Sequence, residues 1–108
     1  MTDIVQLLMA EIDDLRGQFG PVHSEAVSDI ILVQLQIRGV DVRVVIEPTT
    51  YPVRAPSIIT AGGWRHPKVG ENGRVEGLRC IESWNRTYGL GQVIRELNQA
   101  FIDDPPER

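Results

Sequence analysis

The chain has 108 residues, with 15 acidic against 11 basic side chains and a net charge of -4. That length is one domain, residues 1–108, able to bury a single core without disulfides or metal. The acidic balance and scattered arginines exclude the electrostatic footprint of a nucleic-acid or acidic-membrane binder, and no apolar run reaches the roughly 20 residues of a membrane span. In chain order, Ile4, Leu7, Leu8, Ile12 and Leu15 recur at three- and four-residue steps among Asp3, Glu11, Asp13 and Asp14, which predicts a surface helix with one buried stripe. Thr2 is its expected N-cap, and Gly17 and Gly20 bracket its exit. This acidic, amphipathic N-terminus has no basic segment leading into an apolar run, and a lone cysteine cannot form an internal disulfide, so the chain reads as cytoplasmic.

From Pro21 the period changes. DIILVQLQIRG is dense in β-branched residues, Gln34 and Gln36 alternate with Leu35 and Ile37, and VDVRVVIEP resumes after Gly39, the pattern of a hairpin with a very short connection. Pro48, Pro52 and Pro56 keep the next segment out of a regular ladder until Ser57 to Thr60 supplies a further short strand. Ala61 to Tyr88 has glycine clusters and both tryptophans but no periodicity, and reads as a long structured loop. Leu90, Val93, Ile94, Leu97 and Phe101 form a second amphipathic helix closed by DDPP. The order of helix, antiparallel meander, irregular loop and helix gives an α+β fold.

Within the loop, HPKVGENGRVEGLRC holds one of the two histidines and the only cysteine. Cys80 is a candidate nucleophile, but Leu78 and Ile81 beside it favour a buried, structural thiol. His66 precedes Pro67 in a turn, where it serves as a base, a ligand or a hydrogen-bonding anchor. No metal-ligand spacing accompanies it, which favours the anchor; no metal or cofactor is expected. GENG and AGG fit turns rather than a phosphate cradle. Trp64 and Trp84 are large anchors of the kind usually found in a core, with Trp64, in a glycine-flanked loop, the better candidate of the two for a binding surface.

Taken together, YPVRAP, His66-Pro67, Asn72-Gly73, Trp84 and the helix ending in DDPP resemble the ubiquitin-conjugating enzyme family and its UBC fold over almost the whole chain. In that family an HPN motif precedes an NG turn and a catalytic cysteine, eight residues beyond the asparagine and eight before a tryptophan. Counting eight on from Lys68 and eight back from Trp84 both give Glu76. The resemblance therefore puts a carboxylate in the nucleophile's place and Lys68 in that of the oxyanion-stabilising asparagine. Cys80 lies four residues further on, where the family has an apolar residue. His66, Pro67, Lys68 and Glu76 form a vestigial loop with no catalytic residue, as in the inactive variants called UEV, which usually lack the family's C-terminal helices.

The resemblance implies noncovalent binding of ubiquitin or a ubiquitin-like protein, with no conjugating activity. Two roles are known for UEV domains: cargo sorting within ESCRT-I, or service as cofactor to an active ubiquitin-conjugating enzyme. The simple architecture and the end of the sequence just after the second helix favour the sorting type, with ESCRT-I subunits as partners. The binding surface is expected on the exposed meander face, at Gln34, Gln36, Arg43 and the Arg38 to Asp41 turn, with Trp64 beside it. The short IRGVDV turn departs from the longer tongue of sorting UEV domains and is similar to RWD domains, interaction modules of the same fold, which stand as the alternative. A third reading keeps an active enzyme using Cys80.

Overall fold

The computed structural model describes residues 4–107, so the cap expected at Thr2 lies outside the described residues. Helix α1 (Ile4–Phe19) buries Leu8, Ile12 and Leu15 of the anticipated stripe, with Ile4 and Leu7 partly buried against the same core. Its exit falls between the two bracketing glycines, past Gly17. One interior glycine costs a helix only about 1 kcal/mol, and continuing for two residues packs Phe19 against the core. The end falls at Gly20, where a φ of +88° closes the last turn and its N–H donates to Arg16 O at 3.2 Å.

Strands β1 (Val22–Val27), β2 (Ile30–Ile37), β3 (Val40–Ile46) and β4 (Ser57–Ala61) form one antiparallel sheet in sequence order. Ser28-Asp29 and Arg38-Gly39 are two-residue connections, and φ is positive at Ser28, Arg38 and Gly39, as such tight hairpins require. Alternation assigns the faces: Val33, Leu35 and Ile37 of β2, Val40, Val42, Val44 and Ile46 of β3, and Ile58 and Thr60 of β4 are buried. Their neighbours Gln34, Gln36, Asp41 and Arg43 point to the other side.

Helix α3 (Gly89–Asp103) buries Leu90, Val93, Ile94, Leu97 and Phe101, all five of the expected stripe. It packs on α1, and both helices contribute to the single core with the inner face of the sheet. The span from Ala61 to Tyr88 is more ordered than its sequence suggests. It contains a one-turn helix, α2 (Arg79–Glu82), and antiparallel bridges at His66–Val69, Val69–Val75 and Ile59–Arg74. Elements this short cannot show a 3.6-residue period, which needs a window of about 11 residues or more to register.

A polar node ties α1, the YP turn and α3 together. The Tyr51 hydroxyl donates to both Glu11 carboxylate oxygens at 2.7 and 3.0 Å, and the Leu90 N–H bonds the same carboxylate. Helix α3 gets no side-chain cap from its own N-cap residue, Tyr88, and has no acidic residue in its first turn. Glu11 supplies the missing acceptor from the other helix. Burial raises the Glu11 carboxyl above its ordinary value, with the Tyr51 and Leu90 bonds offsetting part of the rise, and burial raises the Tyr51 hydroxyl further from ionisation. Trp84 extends the node by donating its indole N–H to Pro52 O at 2.8 Å, its ring 6.1 Å from that of Tyr51.

Candidate functional site

The loop of interest is sewn to the sheet by its own backbone. Val69 N–H donates to His66 O, Gly70 N–H to Arg74 O and Glu76 N–H to Lys68 O, at 2.7 to 2.9 Å, and Asn72 Oδ1 accepts from Arg74 N–H at 3.0 Å. The Asn72-Gly73 turn then closes on β4: Thr60 N–H and Oγ1 both donate to Gly73 O, at 2.7 and 3.1 Å. At the loop's start, Arg65 exchanges backbone bonds with Glu107, beyond α3.

His66 is an anchor. Its Nε2 lies 3.1 Å from Ala100 O and its Nδ1 accepts from the Lys68 N–H at 2.9 Å, so the network assigns the proton to Nε2 and uses both ring nitrogens. The ring makes a T-shaped contact with that of Phe101, centroids 5.1 Å apart. With both nitrogens engaged by backbone groups, neither is presented to a substrate or metal. Among the described residues no group of three or more His, Cys, Asp or Glu is placed to hold a metal ion.

Lys68 reaches across the loop and donates Nζ to Gly77 O at 2.9 Å, which gives its ammonium a structural bond. Glu76 is fixed by its backbone bond to Lys68 and carries an exposed side chain. His66, Pro67, Lys68 and Gly77 line one side of a cavity of about 420 Å³, and Glu96, Gln99 and Ala100 of α3 line the other. Of the residues singled out in this loop, His66, Pro67 and Lys68 line the cavity together, whereas Glu76 and Cys80 do not.

Cys80 sits in α2, only 4% exposed, within the core. Its N–H and S–H both donate to Glu96 Oε2, at 3.3 and 3.4 Å. Burial, and then the Glu96 carboxylate, push the thiol up to about 12. At pH 8 a thiol of ordinary pKa is about one-quarter thiolate, whereas one near 12 is about 10⁻⁴. Alkylation of the folded protein by iodoacetamide at pH 8 is therefore expected to be roughly a thousandfold slower than in denaturant, and to accelerate as pH climbs. Equal rates in the folded and denatured protein would contradict the burial. The folded thiol's pKa lies above the unfolded value, so the stability it contributes is complete only below the ordinary thiol value of about 8.5 and is lost as pH rises from there towards 12.

On the outer sheet face, Gln34 lies opposite Arg43 and Gln36 opposite Asp41, the latter pair joined by a 2.9 Å bond from Nε2 to Oδ1. Arg38 occupies the adjoining turn. Gln34, Gln36, Asp41 and Arg43 line a depression of about 840 Å³ whose far side is formed by Arg16, Phe19 and His23. The first and third of these extra residues carry polar chemistry that the sequence pattern did not mark, since β1 has too little alternation to point His23 at this face. Trp64 is not brought beside these residues. It is half-buried against the core and lines a different depression, of about 570 Å³, with Thr60 and Gly73. The reason is local: the positive φ angles of Gly62 and Gly63 turn the chain as it leaves β4.

No protein-family model matches the chain, and no curated protein matches its sequence. Among the described residues no helix is long and apolar enough to cross a membrane.

Proposed function

We propose that the domain is a noncovalent binding module for ubiquitin or a ubiquitin-like protein, a UEV-type variant of the UBC fold without conjugating activity, of the ESCRT-I cargo-sorting type. The observation that carries this reading is the state of the loop. His66 and Asn72-Gly73 hold its shape, yet the only thiol is buried on Glu96 and the family's nucleophile position holds the exposed carboxylate of Glu76. A loop that keeps its geometry without a reactive group suits recognition rather than group transfer. Glu76 has no sulfur with which to form a thioester, and the Lys68 ammonium, engaged with Gly77 O, is not an amide donor for an oxyanion.

The outer sheet face, with Gln34, Gln36, Arg38, Asp41 and Arg43, is the contact surface in this reading. Titrating isotope-labelled ubiquitin with the domain is expected to give saturable chemical-shift changes with a Kd from about 10⁻⁴ to 10⁻³ M, the strength of a small interface. Reverse labelling should move the amides of Gln34, Gln36 and Arg43. Unshifted spectra up to millimolar domain would sink the proposal.

One observation favours a second reading. The Arg38-Gly39 connection is two residues long, so β2 and β3 carry no projecting tongue. An RWD-like interaction module fits that feature, and it predicts a protein partner on the same face with indifference to ubiquitin.

A further inference from the structure

The two edges of the sheet are finished differently. In an antiparallel ladder the pair closing a two-residue hairpin is hydrogen-bonded, and bonded pairs then alternate along the strands. Counting from Val27↔Ile30 and Ile37↔Val40, this alternation turns Ile58 and Thr60 of β4 outward, and likewise Val22, Ser24 and Ala26 of β1. On β4 those groups are used: Ile58 O accepts from Val75 N–H at 2.9 Å and Thr60 N–H donates to Gly73 O. On β1, the Val22 carbonyl accepts from Arg16 Nε at 3.2 Å, while no hydrogen bond among the described residues reaches the outward backbone groups of Ser24 or Ala26.

The β1 run VHSEAV pairs with β2 over six residues in unbroken register and contains no Pro, Lys or Arg and no bulge. Those are the usual devices that keep an edge from pairing, and here a single charge, Glu25, stands in for them. Residues Glu25, Ala26 and Val27 are exposed.

We propose that this edge is an interaction surface whose occupant is β1 of a second copy of the chain, paired antiparallel about a twofold axis at Ser24. Outward-facing residues must meet outward-facing residues, which leaves two central registers. Centring on Glu25 sets two carboxylates opposite each other on one face, which repels. Centring on Ser24 sets His23 opposite Glu25 of the second copy, twice by symmetry, so imidazole meets carboxylate in both places. In the same register Val22 meets Ala26 of the second copy and Ser24 meets its twin, giving about six backbone bonds from three closely spaced pairs. The Val22 carbonyl joins this ladder through the lone pair that Arg16 leaves unused. An extended peptide from another protein would find the same backbone groups but not the reciprocal His23 and Glu25 match. This pairing stands independently of the ubiquitin reading.

Sedimentation over a concentration series tests it. The mass is expected to rise from 12.1 kDa towards twice that value below about 1 mM, the range for a small, reversible interface. Ser24→Pro and Ala26→Pro delete outward N–H groups without breaking a bond to β2, and each should weaken the dimer at least tenfold while amide spectra keep the fold. Ser24→Cys, on the axis, should oxidise to a disulfide-linked dimer, whereas Ser28→Cys, in the turn, should not; the buried Cys80 stays silent in both. A monomer at every concentration overturns the proposal, even if that monomer captures an extended peptide. So does a dimer that survives both proline variants and fails to cross-link at Ser24→Cys. If a proline variant unfolds, the concentration series and the cross-link still decide.

Discussion

Replacing Gly73 with alanine is expected to cost about 3 kcal/mol or more of folding stability, the sum of two separable penalties. The first is conformational: Gly73 has a φ of +84°, which an L side chain tolerates only with strain. The second is spatial, because the new Cβ would stand 2.6 Å from the backbone oxygen of Thr60, an atom of β4 that cannot swing aside like a side-chain tip. Relief requires lifting the turn off the strand, which sacrifices both Thr60 bonds to Gly73 O. Gly39 provides the control. It has the same φ of +84° but nothing within 4 Å of its added Cβ, so Gly39→Ala should lose only the conformational part, about 1 kcal/mol. Urea midpoints of the two variants separate the penalties, and equal losses would mean that the turn is not pressed against β4.

Phe101→Ala is expected to cost about 3–5 kcal/mol, because a buried ring is lost and the surrounding core closes only in part over the gap. That is a large share of the roughly 5–15 kcal/mol that holds a domain of this size together. The ring is 1% exposed, and it also backs the loop through its T-shaped contact with His66, whose Nε2 bonds the carbonyl of the preceding residue, Ala100. Local loosening at His66 should therefore accompany the global loss, visible as faster amide exchange at Lys68, whose N–H that imidazole holds. Ile102, next in the helix but 45% exposed, sets the baseline: Ile102→Ala should stay within about 0.5 kcal/mol. Thermal or urea unfolding of the pair makes the comparison, and similar losses at both positions would place Phe101 outside the core.

What the sequence discloses depends on the length of each pattern. Helices α1 and α3 repeat their apolar stripes over several turns, and the β2–β3 hairpin alternates over two strands, so all three stand out, together with the outer face bearing Gln34, Gln36, Asp41 and Arg43. Strand β1 has one buried residue, Val22, and hence no alternation to read. The one-turn α2 is too short to carry a period. Cys80 is legible as core from Leu78 and Ile81, but its bonds to Glu96 span 16 positions. Trp64 carries two readings in the sequence, core anchor or surface ring, and its glycine-flanked loop has no period to show that the ring lies half-buried against the core.

The carboxylate of Glu11 at the start of α3 makes the two ends of the chain depend on each other. Leu90 belongs to a helix encoded near the C-terminus, yet the acceptor for its amide is delivered from the first helix, with Tyr51 as the third party. A C-terminal fragment would thus begin its helix with amide protons turned to solvent and no local residue to receive them. Trimming the N-terminal helix would leave the Tyr51 hydroxyl without its acceptor as well. The start of α3 is accordingly completed only when α1 and the turn bearing Tyr51 have docked against it.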